Sequence, residues 1–271
     1  MADARRQGVS RLDAELLLAR LLGRPRSALI AHDDQTLDDR QADRWRDLLA
    51  QRAGGVPLAY LLGEKEFFGH LLAVTPAVLV PRPETELLVE WAAEILAEAG
   101  APAHPAVADL GTGSGAIALA VKHLAPHARV AASDISAAAL AVAAANARRL
   151  GLDIELLEGA WWRALAERRF DLVLANPPYL DAADPHLPAL RHEPRQALTP
   201  GADGLAALAE IVRGAPPHLV AGGWLVVEHG CEQASPVRSM FRADDWTDVS
   251  TRTDLAGLPR ATGGRRRPPR R

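Results

Sequence analysis

Residues Phe170–Ala175 form a nearly continuous apolar run, and Asn176, Pro177, Pro178 and Tyr179 follow at once. A strand with one wet face alternates polar and apolar positions. A run apolar at successive positions is buried on both sides, as in a parallel sheet covered by helices. Comparable runs lie at residues 107–110, 129–133, 154–157 and 224–228, and helix-like stretches lie between them at 115–124, 137–150 and 205–219. This alternation predicts an α/β fold, a mostly parallel sheet with helices on both faces. In such sheets ligands bind outside the carboxyl ends of the strands. The polar cluster after Ala175 therefore falls where a ligand site is expected.

Pro177 and Pro178 lack a backbone N–H and hold φ nearly fixed. With the Asn176 side-chain oxygen, their carbonyls make a rigid cluster of acceptors. Such a cluster suits an NH2 group on a planar conjugated system, an amide or a base amine. Read alone, Asn-Pro is also an ordinary turn signal that ends a strand. The upstream sequence favours the first reading. Gly111, Thr112, Gly113, Ser114 and Gly115 follow a short apolar run and open a helical stretch. Glycines at alternate positions let the backbone turn tightly and approach a ligand. About 20 residues further on, Asp134 ends the next strand-like run, where an acid accepts from ribose hydroxyls. The competing role for Asp134 is to cap the following helix, with Ser136 as rival cap. The glycines are spaced G-x-G-x-G, and there is no G-x-x-x-x-G-K-[ST] run for nucleoside triphosphates.

The chain has 271 residues and a net charge of −3, so no global basic field points to nucleic acid. Cys231 is the only cysteine, which fits a reducing compartment, and a cytoplasmic protein is expected. No apolar run reaches membrane-span length, and no apolar segment follows Arg5 and Arg6 as in a signal peptide. No His/Cys/Asp cluster has metal-ligand spacing, so no metal is expected. Residues 1–63 predict a separate helical bundle, read either as a docking module or as packing for the main domain. Residues 64–83 predict a β-hairpin linker with a turn at Gly69-His70, and residues 84–262 the catalytic domain. Residues 263–271 read as a disordered Gly-, Pro- and Arg-rich tail. The segment 180–204 is long for a connection and is expected to border the substrate entrance.

The glycine loop, the acid and Asn-Pro-Pro-Tyr together resemble class I amino-methyltransferases. Across nearly the whole chain the sequence is similar to the release-factor glutamine methyltransferases, the HemK/PrmC family. The matching segments include Pro81-Arg82-Pro83-Glu84-Thr85-Glu86, Glu193-Pro194, Glu228-His229-Gly230 and Asp254-Leu255-Ala256-Gly257. The resemblance implies a Rossmann-like class I methyltransferase domain with a seven-stranded sheet, behind an N-terminal helical bundle. It implies methyl transfer from S-adenosyl-L-methionine to the glutamine of the Gly-Gly-Gln motif in class I peptide chain release factors. Residues 111 to 115 (Gly111, Thr112, Gly113, Ser114, Gly115) would line the methionine and ribose of the cofactor. Asp134 would hold the ribose hydroxyls and Trp161 would lie against adenine, with Asn176 also near the cofactor. Asn176, Pro177, Pro178 and Tyr179 would bind the substrate amide, with Asn176, Pro177 and Tyr179 at the chemistry. Where the family has an acid before that Trp, this chain has Ala160, and the neighbouring Trp162 competes for the stacking role. A monomer with no nucleic-acid substrate and no membrane partner is expected. Rival acceptors are a glutamine on a ribosomal protein, or a DNA or RNA base amine presented flipped out.

Overall fold

The computed structural model describes residues 2–31, 36–98, 100–201, 203–242 and 244–268. Five helices come first: α1 (Ala2–Arg6), α2 (Arg11–Leu22), α3 (Arg26–Ala31), α4 (Asp39–Ala53) and α5 (Leu58–Leu62). Ser10 caps α2 and Asp38 closes a capping box on α4, while Gly23 and Gly63 end α2 and α5 in the left-handed conformation. Leu17, Trp45, Leu48 and Leu49 form a core for this bundle separate from those of the sheet. Buried Glu15 is held between Arg11 and Arg26, whose guanidinium groups keep its carboxyl below the usual range.

Strands β1 (Glu64–Phe67) and β2 (His70–Ala73) form an antiparallel hairpin. Its two-residue turn is Phe68-Gly69, one position earlier than the sequence suggests. Both residues have positive φ, as the twist of a tight hairpin demands. Helix α6 (Glu86–Leu96) follows. Then come β3 (Ala106–Leu110), α7 (Ala116–Leu124), β4 (Arg129–Asp134), α8 (Ala137–Leu150), β5 (Glu155–Glu158), α9 (Trp162–Leu165) and β6 (Phe170–Ala175). The chain ends with α10 (Ala206–Gly214), β7 (Leu219–Glu228), α11 (Ala234–Met240), β8 (Trp246–Thr253) and β9 (Pro259–Arg266).

The seven strands lie in the order β5-β4-β3-β6-β7-β9-β8, parallel except β9, which runs antiparallel to both neighbours. Successive strand residues bury on opposite faces. Val107, Leu172 and Leu174 pack with α6 and α7 on one side, while Ala108, Leu110 and Val173 pack with α10 and α11 on the other. This is the covered parallel sheet that the apolar runs predict.

Three boundaries differ from the sequence reading. β7 begins at Leu219, because an irregular pairing around Gly222 and Gly223 lets the strand start before its apolar run. α10 ends at Gly214, since Pro216 and Pro217 cannot continue it. Gly263 and Gly264 are strand residues and not the start of a tail. A Cβ at Gly263 would meet the Trp91 indole at 3.0 Å and one at Gly264 the Phe241 ring at 2.8 Å, so bare backbone here admits two large aromatics. The last residues of the expected tail, 269–271, lie outside the described residues.

Candidate active site

β3 and β6 are neighbours, and the chain order reverses between them, which is the switch point where open α/β sheets bind ligands. The glycine loop leaves the end of β3, and Asn176 leaves the end of β6. Loop geometry is set by the sheet: the Gly111 and Thr112 amides both donate to the Ser133 carbonyl of β4, at 2.8 and 2.9 Å. Gly111 and Gly113 adopt left-handed φ of 74° and 56°. The Gly113 amide donates to Asp134 Oδ2 at 2.9 Å, so the acid at the end of β4 braces the loop after β3. Asp134 does not cap α8; Ser136 does, through the Ala139 amide. Asp134 Oδ1 accepts from the Ser136 amide. Each carboxylate oxygen keeps lone-pair capacity, and Asp134 lines the cavity beside it.

That cavity has a volume of about 450 Å³, within the range of small-molecule sites. Gly111, Thr112, Gly113, Ser114, Asp134, Trp161, Asn176 and Pro178 all line it. Gly115, Pro177 and Tyr179 do not line its wall. Gly115 instead lets α7 approach α8: a Cβ there would meet Leu119 at 3.1 Å and Ala143 at 3.3 Å. Pro177 is buried. Tyr179 turns its hydroxyl to Glu228 Oε1 at 3.2 Å.

The two tryptophans separate cleanly. Trp162 is buried, donates to the Ile211 carbonyl at 3.1 Å and stacks on His218. Trp161 lines the cavity at φ 45°, against Gly111, where a Cβ would lie 3.1 Å from its ring. Ile135, exposed by 63%, and Ala160 share this wall, and Glu210 of α10 brings a carboxylate to it. The residues fit an adenosyl group: an apolar and aromatic slot at one end, an acid with free lone pairs beside it, and glycine backbone that a side chain would block. The segment after Tyr179 closes the other side through Pro194, Gln196, Ala197 and Thr199.

Behind the wall lie residues the sequence did not mark for a role. The Asn176 side-chain amine donates to Thr85 Oγ1 at 3.0 Å. Thr85 is buried at the start of α6 and makes no cap bond there. Burial pushes the Glu228 carboxyl up to about 7, against the hydroxyls of Thr85 and Tyr179 and the charge of Arg260, which hold it down. Asp109, also buried, accepts from the Thr112 hydroxyl at 2.7 Å and the Ala118 amide at 3.2 Å, and burial raises it to about 7. Asn146 of α8 joins the hairpin to the loop, bonding both the amide and carbonyl of Ala73 and the Ser114 carbonyl. The only sequence signal for Asp109 and Glu228 is an acid at or near the end of an apolar strand. Nothing local marks Thr85 or Asn146.

His229 is buried between the Gly230 carbonyl and Thr262, and burial lowers its pKa. His186 pairs with Asp184 at the surface, and His192 reaches the Gly54 carbonyl in the bundle. Among the described residues no group of three or more His, Cys, Asp or Glu side chains is placed to hold a metal ion. No described helix is long and apolar enough to cross a membrane.

Comparison with known proteins gives the same picture in both halves of the chain. Residues 3–63 match the PrmC N-terminal domain, and residues 85–245 match the methyltransferase small domain. A release factor glutamine methyltransferase of Bordetella pertussis is 50% identical over 260 residues, covering 95% of each chain. One of Coxiella burnetii is 44% identical over 257 residues, covering 94% of this chain and 92% of the other. Among solved structures, a Thermus thermophilus 16S rRNA N2 G1207 methyltransferase in complex with AdoMet and guanosine aligns with a TM-score of 0.54. It is 19% identical and covers 75% of this chain and 50% of that one, a likeness of fold alone. A ribosomal protein L11 methylase of Lactobacillus delbrueckii aligns at 0.51 with 21% identity, covering 69% and 80%. Close to half the residues are shared with full-length relatives, and both modules are present in order: the chain belongs to the release factor glutamine methyltransferase family.

Proposed function

We propose that the protein transfers a methyl group from S-adenosyl-L-methionine to the side-chain amide nitrogen of the glutamine in the Gly-Gly-Gln motif of class I peptide chain release factors. The observation that carries this reading is that Asn176 and the glycine loop, on adjacent strands, share one cavity wall. Bound there, the cofactor supplies an activated methyl group on a sulfonium centre. Gly111 and Gly113 line its path, Asp134 takes the ribose hydroxyls, and Trp161 with Ile135 faces the adenine.

An amide nitrogen is a weak nucleophile because its lone pair is delocalised into the carbonyl. Asn176 Oδ1 on the cavity wall accepts one N–H, and the carbonyl of Pro177, whose ring is buried behind that wall, is assigned the other, so the nitrogen is aimed and positive charge growing on it is stabilised. Orientation of this kind is worth up to about 7–11 kcal/mol. One aimed dipole adds roughly 2.7–4 kcal/mol. The nitrogen gains the methyl carbon as that carbon's bond to sulfur is lost, which would leave a neutral thioether, and it loses a proton, which passes to water; no strong base is required. Tyr179 flanks this clamp. The N-terminal bundle is the docking module for the protein substrate, and the enzyme works as a cytoplasmic monomer without a nucleic-acid substrate.

The test is labelled cofactor offered to release factor, ribosomal protein, DNA and RNA. Label is expected in release factor, and label mainly in nucleic acid overturns the reading. Asn176→Ala is expected to lower turnover about 100-fold or more with cofactor affinity nearly unchanged.

A further inference from the structure

Among the described residues, the charged side chains on the cavity wall are Arg82, Asp134 and Glu210. Two of them are already engaged. Arg82 is ion-paired with the buried carboxylate of Glu193. Asp134 accepts from the Gly113 and Ser136 amides, both at 2.9 Å. Glu210 makes no hydrogen bond or ion pair among the described residues. An exposed carboxylate on a helix normally needs no partner but water; this one borders a ligand cavity.

Its place in the cavity is set by α10. Leu208, Ile211 and Val212 are fully buried, which fixes the rotation of the helix. The Ile211 carbonyl accepts the Trp162 indole N–H at 3.1 Å, and a Cβ at Gly214 would lie 2.4 Å from that ring, so α10 runs against the segment that carries Trp161. Glu210 immediately precedes Ile211 and therefore stands at the Trp161 end of the cavity. Long side chains on a helix lean toward its N-terminus. One turn back lie Ala206 and Ala207, both on the wall and too short to screen the carboxylate. The rest of that end is Ile135, Gly159, Ala160 and Trp161, none of which has a side-chain acceptor. Stacking on an aromatic face holds any purine and does not tell one from another. A carboxylate only accepts, so it matches an NH2 donor and repels a carbonyl oxygen at the same ring position.

Resting on the adenosyl placement in the function proposed above, we propose that Glu210 is the residue that selects adenine: its carboxylate accepts an N–H of the exocyclic amine at the 6-position of the purine. Trp161 supplies the face on which the base lies, and α10 supplies the polar contact at its edge. Gln196, on the segment that closes the other side, also brings a side-chain acceptor to the wall and is the contrast for the test.

Calorimetry on the full chain compares S-adenosyl-L-homocysteine with its 6-deamino analogue, which lacks only the amine. Wild type is expected to bind the analogue about tenfold more weakly. In Glu210→Ala, affinity for S-adenosyl-L-homocysteine is expected to fall about tenfold and the gap between the two ligands to close to within about twofold. Glu210→Gln keeps an acceptor oxygen on the same stem and is expected to retain a gap of about threefold or more. Gln196→Ala is expected to keep the wild-type gap. A side chain that merely shaped the wall would change both affinities together and leave the gap intact. Thermal melts verify that each variant is folded at the temperature used. Equal affinity of wild type for the two ligands overturns the proposal. So does a wild-type gap in Glu210→Ala, or a gap that closes in Gln196→Ala instead. Trp161→Ala separates this inference from the reading beneath it. If both ligands bind Trp161→Ala as they bind wild type, adenine does not lie here, and the cofactor placement fails along with the role of Glu210. If Trp161→Ala weakens both while Glu210→Ala keeps the gap, the placement stands and only the role of Glu210 fails.

Discussion

Gly204 lies between Tyr179 and Gln233, and its replacement by alanine is the most direct mechanical test of how the acceptor cluster is held. A Cβ at this position would sit 2.4 Å from the Tyr179 carbonyl oxygen, a separation that must open to at least 3.0 Å. The oxygen belongs to the backbone and cannot swing aside. It is also held by Gln233 Nε2 at 2.9 Å, and that amide would itself be 3.1 Å from the new methyl. Gly204 has φ +71°, where an L-residue costs roughly 1–2 kcal/mol. Losing the Gln233 bond adds about 1 kcal/mol, for a total near 2–3 kcal/mol. That corresponds to a fall in Tm of about 4–12 °C. The catalytic effect is larger. A shift of half an ångström or more in Tyr179 drags the adjoining prolines, and misplacement of about 1 Å costs on the order of 100-fold. Gly204→Ala is thus expected to lose about 10–100-fold in kcat at a temperature where it is fully folded. Methylation rates at saturating cofactor, with Tm from circular dichroism, make the measurement. A variant with lowered Tm and unchanged kcat would show that the loop absorbs the clash and would refute the mechanical link to Tyr179.

Asn146→Ala removes three hydrogen bonds and leaves the Ala73 amide without its partner, so a loss of about 2–4 kcal/mol is expected in urea unfolding. Trp161→Ala is expected to weaken cofactor binding about tenfold by calorimetry, and Trp161→Phe to weaken it less, since an aromatic pair is worth about 0.5–1.5 kcal/mol beyond burial. Asp109, raised by burial to about 7, stabilises the fold below its ordinary range and loses that contribution as pH rises through the interval up to about 7. Asp109→Asn should therefore gain relative to wild type between about pH 4 and pH 7; a gap independent of pH would show that Asp109 does not titrate there.

The strands at the centre of the sheet are readable almost to the residue, because burial on both faces leaves little choice of side chain: Phe170–Ala175 is an example. The glycine loop and Asp134 are equally plain, since their roles are backbone conformation and position at a strand end. What the sequence hides is long-range. Thr85 and Asn176 are 91 residues apart, and Asn146 and Ala73 are 73 apart, so no window on the chain contains either pair. Thr85 stands at the N-cap position of α6 without capping it, and its hydroxyl is used across the fold instead. Gly115 reads as part of the ligand loop because it shares the glycine spacing, while its bare Cα serves contact between helices. Trp161 and Trp162 are indistinguishable by pattern, and only packing assigns one to the cavity and the other to the core.

Leu110 and Ala175 are registered partners, and the glycine loop and Asn176 begin immediately after them. Strand spacing, about 4.8 Å, is among the least adjustable lengths in a protein. The sheet acts as a ruler for the site: the separation of the glycine loop from Asn176 is inherited from backbone pairing and cannot be retuned by swapping surface side chains. Substitutions on the bundle and on the segment after Tyr179 leave that span fixed.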